Sequence, residues 1–267
     1  MLRNITLGQY YPVDSPVHRL DPRTKLLLTI CLIVTVFLVR TIIGYGLILA
    51  FIYLTSRLAK IPFKMLLRGL KPLRLILVFT FLLNLFFTPG TTVLLEFWII
   101  RITAEALSQA FFYSLRLVFL VIGTSLLTLT TSPVALSDAI EILLGPLRKI
   151  HFPAHELAMM MTIALRFIPT LLDETDKIMK AQMARGADFE SGNLISRARA
   201  MVPLLVPLFV SAFRRAGDLA MAMESRCYHG GEGRTRFRVL RLTRADGIAW
   251  AVMALLMGLI MLEGNLL

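Results

Sequence analysis

The sequence predicts an all-α integral membrane protein, with about five transmembrane helices plus a cytoplasmic region carrying two long amphipathic helices. Three observations predict it. Of 267 residues, 57% are hydrophobic and the mean hydropathy is +0.72, above the range of soluble domains. The apolar residues lie in long blocks, not in a scattered amphipathic pattern. Basic residues, 29 against 17 acidic ones, crowd the flanks of those blocks, a bias that marks cytoplasmic flanks.

A net charge of +12 suits nucleic acid, anionic lipid or an acidic partner protein. The long apolar blocks put nucleic acid last, so the expected surroundings are the lipid bilayer and other proteins, with no nucleic acid. Cys31 lies in an apolar block and Cys227 in a polar tail, a pattern without a disulfide framework or paired zinc spacing. The first twenty residues hold no apolar core. A cleavable signal peptide is therefore not expected, and the first span does the targeting.

The first apolar block runs from Leu26 to Ser56, broken by Arg40 and Gly44-Tyr45-Gly46. Arg19, Arg23 and Lys25 precede it; Arg57, Lys60, Lys64, Arg68, Lys71 and Arg74 follow. With both flanks inside, the chain must cross twice, in arms of about 15 residues or ~22 Å. Arg40 then sits at the outer head groups. A third span follows Pro72, from Leu75 to about Thr88, and Thr88-Pro89-Gly90-Thr91-Thr92 makes an outside turn. Val93 to Ile100 is apolar apart from Glu96 but too short to cross, and reads as re-entrant or interfacial. The fourth span covers roughly Ala104 to Thr131, with Arg116 facing the bundle or snorkelling. The last, Ile248 to Leu262, is approached through Arg234, Arg236, Arg238, Arg241 and Arg244. The N-terminus is then cytoplasmic and the C-terminus outside.

Three parts follow: 1–131 is the N-terminal segment with membrane helices 1–4, 132–238 the cytoplasmic region, and 239–267 the final membrane helix. In the middle part a short helix starts at Ser132-Pro133, with Ser132 as cap, and ends at Gly145-Pro146. A second begins at Pro153 and runs to about Arg185, with Leu157, Met161, Ala164, Ile168 and Leu171 on one stripe. A third runs from about Ser196 to Cys227, striped by Met201, Leu205, Leu208, Ala212, Ala216, Leu219 and Met223. Both are amphipathic and need a protein or bilayer surface on one side. A competing reading takes Leu157 to Leu172 across the membrane, because only Arg166 interrupts it; the basic residues at both ends argue against that.

Candidate chemistry is sparse. His151 and His155 have the spacing of a metal pair, but Pro153 between them places them astride a helix start. Asp173-Glu174-Thr175-Asp176 is a single acidic cluster, where membrane prenyl-transfer chemistry needs a second set facing it. His229-Gly230-Gly231-Glu232-Gly233-Arg234-Thr235 is glycine-rich without the lysine and spacing of a phosphate loop. The chain is therefore expected to be non-catalytic, with no bound cofactor or metal and no ATP site of its own. Two arginines stand apart. Ala184-Arg185-Gly186 and Ser225-Arg226-Cys227 each set one arginine between small residues where a long helix stops. Such a tip can enter a groove on another protein, where guanidinium makes bidentate bonds to a carboxylate. Ordinary helix-end chemistry, a cation and a glycine cap, is the alternative for each site alone. Two matching ends favour docking.

These segments resemble the EcfT family, the transmembrane coupling components of energy-coupling factor (ECF) transporters. The resemblance rests on Ser15-Pro16-Val17-His18-Arg19-Leu20-Asp21-Pro22-Arg23-Thr24-Lys25, on Thr130-Thr131-Ser132-Pro133, on Arg166-Phe167-Ile168-Pro169 and on Ala181-Gln182-Met183-Ala184-Arg185-Gly186. Arg226 takes the second signature position, where Ser225-Arg226-Cys227 replaces the family's frequent Ala-Arg-Gly. The resemblance implies an ABC-type importer of vitamins or metal ions. Two cytosolic ABC-type ATPases, which bind the ATP and Mg, would each receive one arginine-tipped helix. A membrane S component that binds substrate would sit on the coupling surface. It also makes Pro169, Pro203 and Pro207 candidate bend points. The rival classes are a self-contained membrane enzyme such as a prenyltransferase, which a second acidic cluster would support, and a membrane-anchored scaffold.

Overall fold

The first two helices are each preceded by a residue whose side chain caps the helix start. The structure, a computed structural model, describes residues 10–39, 41–90, 92–97, 100–150, 152–189, 193, 195, 199–230 and 240–266. Arg40, His151, the helix start expected at Ser196 and the glycine-rich and basic stretch from Gly231 to Arg238 lie outside them. Helix α1 is Pro22–Leu38; Asp21 caps it by accepting from the Arg23 N–H, with Pro22 in the first turn. Helix α2 is Ile42–Leu58, capped by Thr41. The block from Leu26 to Ser56 is thus divided between two helices of 17 residues each that extend beyond its ends, the hairpin that the charge bias implied. Gly44 is needed at the join, since a Cβ there would meet Val39 Cγ1 at 2.9 Å.

Helix α3, Phe63–Arg68, and a 3-10 turn at Lys71–Leu73 lead into α4, Arg74–Phe87. The next segment departs from expectation. Val93–Phe97 (β1) and Ile100–Thr103 (β2) pair antiparallel, with Val93 opposite Thr103 and Phe97 opposite Ile100. The interfacial reading stopped at Ile100 and so missed the partner strand. Val, Ile and Thr favour a pleated ribbon over a helix too short to cross. Thr103 then caps α5, Ala104–Thr130, by accepting from the Ala106 N–H. Ser132 caps α6, Pro133–Leu144, through the Ala135 N–H.

A 3-10 segment, Gly145–Ile150, precedes α7, Ala154–Ala184, for which Pro153 is the cap position and not the first helical residue. Helix α8 is Val202–Glu224, shorter than the sequence suggested. Met201 forms a turn: Pro203 has no N–H and its ring clashes with the preceding turn, so it sits in the first turn of α8, the position where proline costs least. Helix α9, Arg244–Leu266, closes the chain.

The described chain forms two units, one of Gly8–Ala139 with Leu240–Leu267, the other built on Ile140–Val239. In the first, Leu32, Val36, Ile48, Ile52, Leu66, Ile122, Leu129, Met253 and Ile260 make a buried core. Ile42, Leu75, Phe87, Ile248 and Leu255 are exposed on its outside. An exterior as apolar as the interior suits a bilayer, not water. By length and composition, Phe63–Phe87, Ala104–Thr130, Ala154–Ala184 and Arg244–Gly264 could each cross a membrane, and Ile42–Leu58 is a shorter apolar helix. Arg116 turns into the bundle. Its Nη2 donates to the Val39 carbonyl at 3.2 Å, beyond the end of α1, and its guanidinium lies over the Phe37 and Tyr113 rings. Before α1, Ser15 Oγ meets His18 Nδ1 at 2.7 Å and the Tyr11 carbonyl meets Nε2 at 3.0 Å. Burial, then the nearby Lys25 charge, holds the His18 imidazole below its ordinary pKa.

Candidate functional site

The second unit is organised by α7 and α8. On α7, Glu174 accepts from Ser211 Oγ at 2.5 Å and from Arg215 Nη2 at 2.8 Å, both on α8. Eight residues further along α7, Gln182 Nε2 reaches the Pro203 carbonyl at 3.4 Å. The partner moves back along α8 as α7 advances, so the two helices run antiparallel. The Gln182 contact has a local cause. Pro207 lacks the N–H that would bond the Pro203 carbonyl four residues earlier, leaving that oxygen for a donor from α7.

Ile163, Phe167 and Leu171 face Ala212, Ala216, Leu219 and Met223 around a cavity of about 310 Å³. Leu171 and the expected residues Ala212, Ala216, Leu219 and Met223 thus take the contact as the periodicity predicted, and the rest of the stripe is corrected. Met161 and Ala164 are exposed, as are Met201 and Leu205, while Ile163 and Phe167 take the contact. Helix α8 is apolar on more than one face, and periodicity does not say which face meets a neighbour. Its other face, Val202, Val206, Phe209 and Phe213 at spacings of three and four, is exposed. The sequence reading overlooked that face. The acidic cluster also resolves differently. Glu174 serves the interhelix bridge, and Thr175 bonds the Leu171 carbonyl within its own helix. His155 Nδ1 meets Glu141 at 3.0 Å. Among the described residues no three His, Cys, Asp or Glu side chains gather as metal ligands.

All six residues of the two signatures are exposed. Their backbones match. At the end of α7, Gly186 N–H bonds the Met183 carbonyl and Ala187 N–H the Gln182 carbonyl, both at 3.0 Å. At the end of α8, Cys227 N–H bonds the Glu224 carbonyl at 2.8 Å and Tyr228 N–H the Met223 carbonyl at 3.1 Å. Each is the Schellman cap, with its paired bonds from a left-handed residue and the residue after it. That position is Gly186 at φ +90° in one tip and Cys227 at φ +55° in the other. Ala184, Arg185 and Gly186 therefore correspond, residue for residue, to Ser225, Arg226 and Cys227. Each arginine is held just before the left-handed residue, exposed at its helix end. No carboxylate among the described residues pairs with either guanidinium, and guanidinium stays charged at any physiological pH.

Because the helices are antiparallel, the two tips lie at opposite ends of the pair. Arg185 stands about 11 residues, ~16 Å, beyond the Glu174 bridge, and Arg226 about 11 residues beyond Arg215. A cavity of about 450 Å³ adjoins the second tip, lined by Met159, Ile163, Met223, Arg226 and Tyr228 among others.

Comparison with known proteins bears on what such a pair belongs to. Residues 14–237 match the CbiQ family model, described as cobalt transport protein. The chain is 60% identical over 255 residues, 96% of either chain, to the energy-coupling factor transporter transmembrane protein EcfT of Thermosediminibacter oceani. Proteins of the same description in Clostridium kluyveri and Ruminiclostridium cellulolyticum are 56% and 53% identical, covering 93% and 96% of this chain and the same shares of their own. Likeness of this degree over nearly the full length shows that the chain belongs to the EcfT family, a membrane component of ECF transporters and a multi-pass protein of the cell membrane.

Proposed function

We propose that this chain is the coupling subunit of an ECF-type ABC importer. It passes the ATP-driven movement of two cytosolic ABC-type ATPases to a membrane S component that takes up a vitamin or a metal ion. In this reading the N-terminus and residues 132–238 are cytoplasmic. ATP and Mg are bound by the ATPases, and this chain does no chemistry. The observation that carries the reading is the pair of equivalent arginine tips at opposite ends of one antiparallel helix pair. Two like sockets on two ATPase subunits need two like plugs set apart, and the matched caps supply them.

When the ATPases close on ATP, the sockets approach and each tip is carried with its socket. The helices can answer at their prolines, Pro169 within α7 and Pro207 within α8, where a backbone bond is missing and bending costs little. The exposed face of Val202, Val206, Phe209 and Phe213 is the surface we assign to the S component, since an apolar stripe of this kind needs a protein or lipid cover. The test is co-purification of the ATPase subunits with the wild-type chain and with the Arg185→Ala, Arg226→Ala double variant in the membrane fraction. The double variant should insert normally and lose its ATPases. Full retention of both ATPases would overturn the docking reading and leave helix capping as the role of the arginines.

A further inference from the structure

Lys25 is 7% exposed, and its ammonium donates to two backbone oxygens at 2.9 Å, those of His18 and Thr130. The Thr130 carbonyl belongs to the last turn of α5, where helix acceptors lack partners and a cation offsets the dipole. It lies just before Ser132, at which the proposed coupling region begins. Two residues earlier, Arg23 grips Asp21 through Nε and Nη2 at 3.1 and 2.8 Å, and its Nη2 also donates to the Leu240 carbonyl at 3.2 Å. Leu240 lies just after the region ends. Asp246, 2% exposed, closes the set. One oxygen accepts the Asp21 N–H at 2.9 Å; the other accepts the Thr243 N–H and hydroxyl at 2.7 Å each, which ties the first turn of α9 to the residue before it.

One pentapeptide, Asp21 to Lys25, therefore bonds the chain both where it leaves for residues 132–238 and where it returns. Packing alone does not account for this arrangement. An apolar side chain would fill the Lys25 site without desolvating an ammonium, whereas four charged side chains bonded to main-chain carbonyls and amides fix positions. We infer that Asp21, Arg23, Lys25 and Asp246 are positioning residues that clamp both membrane ends of the coupling region to α1, so that force applied at the arginine tips moves those ends together instead of letting one slip. This rests on the coupling function proposed above.

The experiment uses the complex with its ATPases, keeps Cys31 and Cys227, and attaches ketone-reactive spin labels to p-acetylphenylalanine. Spin labels at Val134 and Leu242, both exposed, report the separation of the two ends. Distances are measured by pulsed electron resonance without nucleotide and after trapping with ATP and vanadate. In the otherwise wild-type complex the distribution should be narrow in both states. Lys25→Met and Arg23→Gln should leave ATP hydrolysis within about twofold and broaden the distribution at least twofold, only in the trapped state. Arg23 is at the rim of the network, so Arg23→Gln decides if Lys25→Met does not fold. Distributions as narrow as wild type, or equal broadening with and without nucleotide, overturn the clamp. A second label pair at Ala187 and His229 reports the tips. If nucleotide leaves the tip distance unchanged in the wild-type complex, the coupling function itself fails, and the clamp with it.

Discussion

The two units of this chain put apolar side chains to opposite uses. In the unit of Gly8–Ala139 with Leu240–Leu267, α1, α2, α5 and α9 bury Val36, Ile48, Ile52, Ile122 and Met253 against one another. In the unit built on Ile140–Val239, α7 buries only Ala154 and Ala158, and α8 has no fully buried residue. Yet α8 still carries Val202, Val206, Phe209, Val210 and Phe213, all exposed. The first unit carries its own core. The second is a thin pair of helices with little buried surface of its own, which in the coupling function proposed above is covered by other proteins. Substitutions in the first should therefore be read in the stability of this chain, and those in the second in the stability of its complexes.

The largest effect should come at the tips. If each guanidinium is paired with a carboxylate in a desolvated socket, Arg185→Ala or Arg226→Ala costs about 3–5 kcal/mol of ATPase binding, or two to three and a half orders of magnitude at about 1.4 kcal/mol per tenfold. A rim-exposed pair would lose only about 0.2–1 kcal/mol. Lysine at either position should restore part of the affinity, lacking the planar fork. Arg199→Ala, exposed on the same unit, is the control and should change ATPase binding by less than about threefold, ~0.5 kcal/mol. Titration of purified ATPase onto the chain in nanodiscs measures each case. Next in size is the mirror experiment in the bundle. Ile52→Ala should cost about 2–5 kcal/mol of the chain's own stability, seen as a lower midpoint in thermal unfolding, with ATPase affinity per folded molecule unchanged. Phe213→Glu reverses that pattern. Phe213 is 76% exposed, so the chain alone should lose no more than about 0.5 kcal/mol, while S-component binding should weaken by about 2 kcal/mol, the loss expected at an apolar hot spot. Equal S-component binding by that variant would move the docking face elsewhere.

How much of this was legible beforehand differs between the units for a physical reason. Membrane spans announce themselves, because hydrocarbon demands long apolar runs and the charge bias orients them. The paired helices α1 and α2, the span at α5 and the Ser132 cap were all readable that way. The hairpin of Val93–Phe97 and Ile100–Thr103 was not, since pairing needs a partner strand and a one-segment reading has none. At the tips, the sequence showed Arg185 and Arg226 at helix ends between small residues. It did not show that Cys227 takes the backbone place of Gly186, because a left-handed cysteine carries no compositional mark. Nor did it show Glu174 reaching Ser211 and Arg215, which depends on how two helices separated by a long connection meet. On α7 the stripe was misplaced, apart from Leu171, for the same reason.

A smaller contrast lies in pH dependence. The tips end in Arg185 and Arg226, whereas the segment before α1 holds His18 between Ser15 and the Tyr11 carbonyl. Its folded pKa lies below the ordinary 6.5 through burial and then the Lys25 charge. The neutral ring is thus the form the fold favours. Its contribution is complete above 6.5 and is lost as pH falls through the depressed folded value. Hydrogen exchange across Tyr11–Lys25 should accelerate on acidification in that window, after correction for intrinsic rates, and His18→Gln should remove the pH dependence. Exchange at the tips should show no matching step.

The smallest effect is the most direct check on the equivalence of the two tips. Cys227 at φ +55° and Gly186 at φ +90° occupy the same place in the same cap. A side chain in the left-handed region costs about 1–2 kcal/mol relative to glycine, and glycine's greater chain entropy when unfolded returns part of that, about 0.5–1 kcal/mol. Cys227→Gly should therefore stabilise the end of α8 by roughly 0.5–1 kcal/mol, slowing exchange of the Cys227-position and Tyr228 amides by about twofold to fivefold. Gly186→Cys should do the reverse at the end of α7, speeding exchange at positions 186 and 187 by a similar factor. A Cβ at Gly186 meets nothing within 4 Å, so backbone strain alone would be read there. Should Cys227→Gly leave exchange unchanged while Gly186→Cys speeds it, the caps are alike in hydrogen bonding but not in strain. The cysteine would then be held in its conformation by contacts at the neighbouring cavity beside Met159 and Met223, and the second tip would be the more rigid of the two plugs.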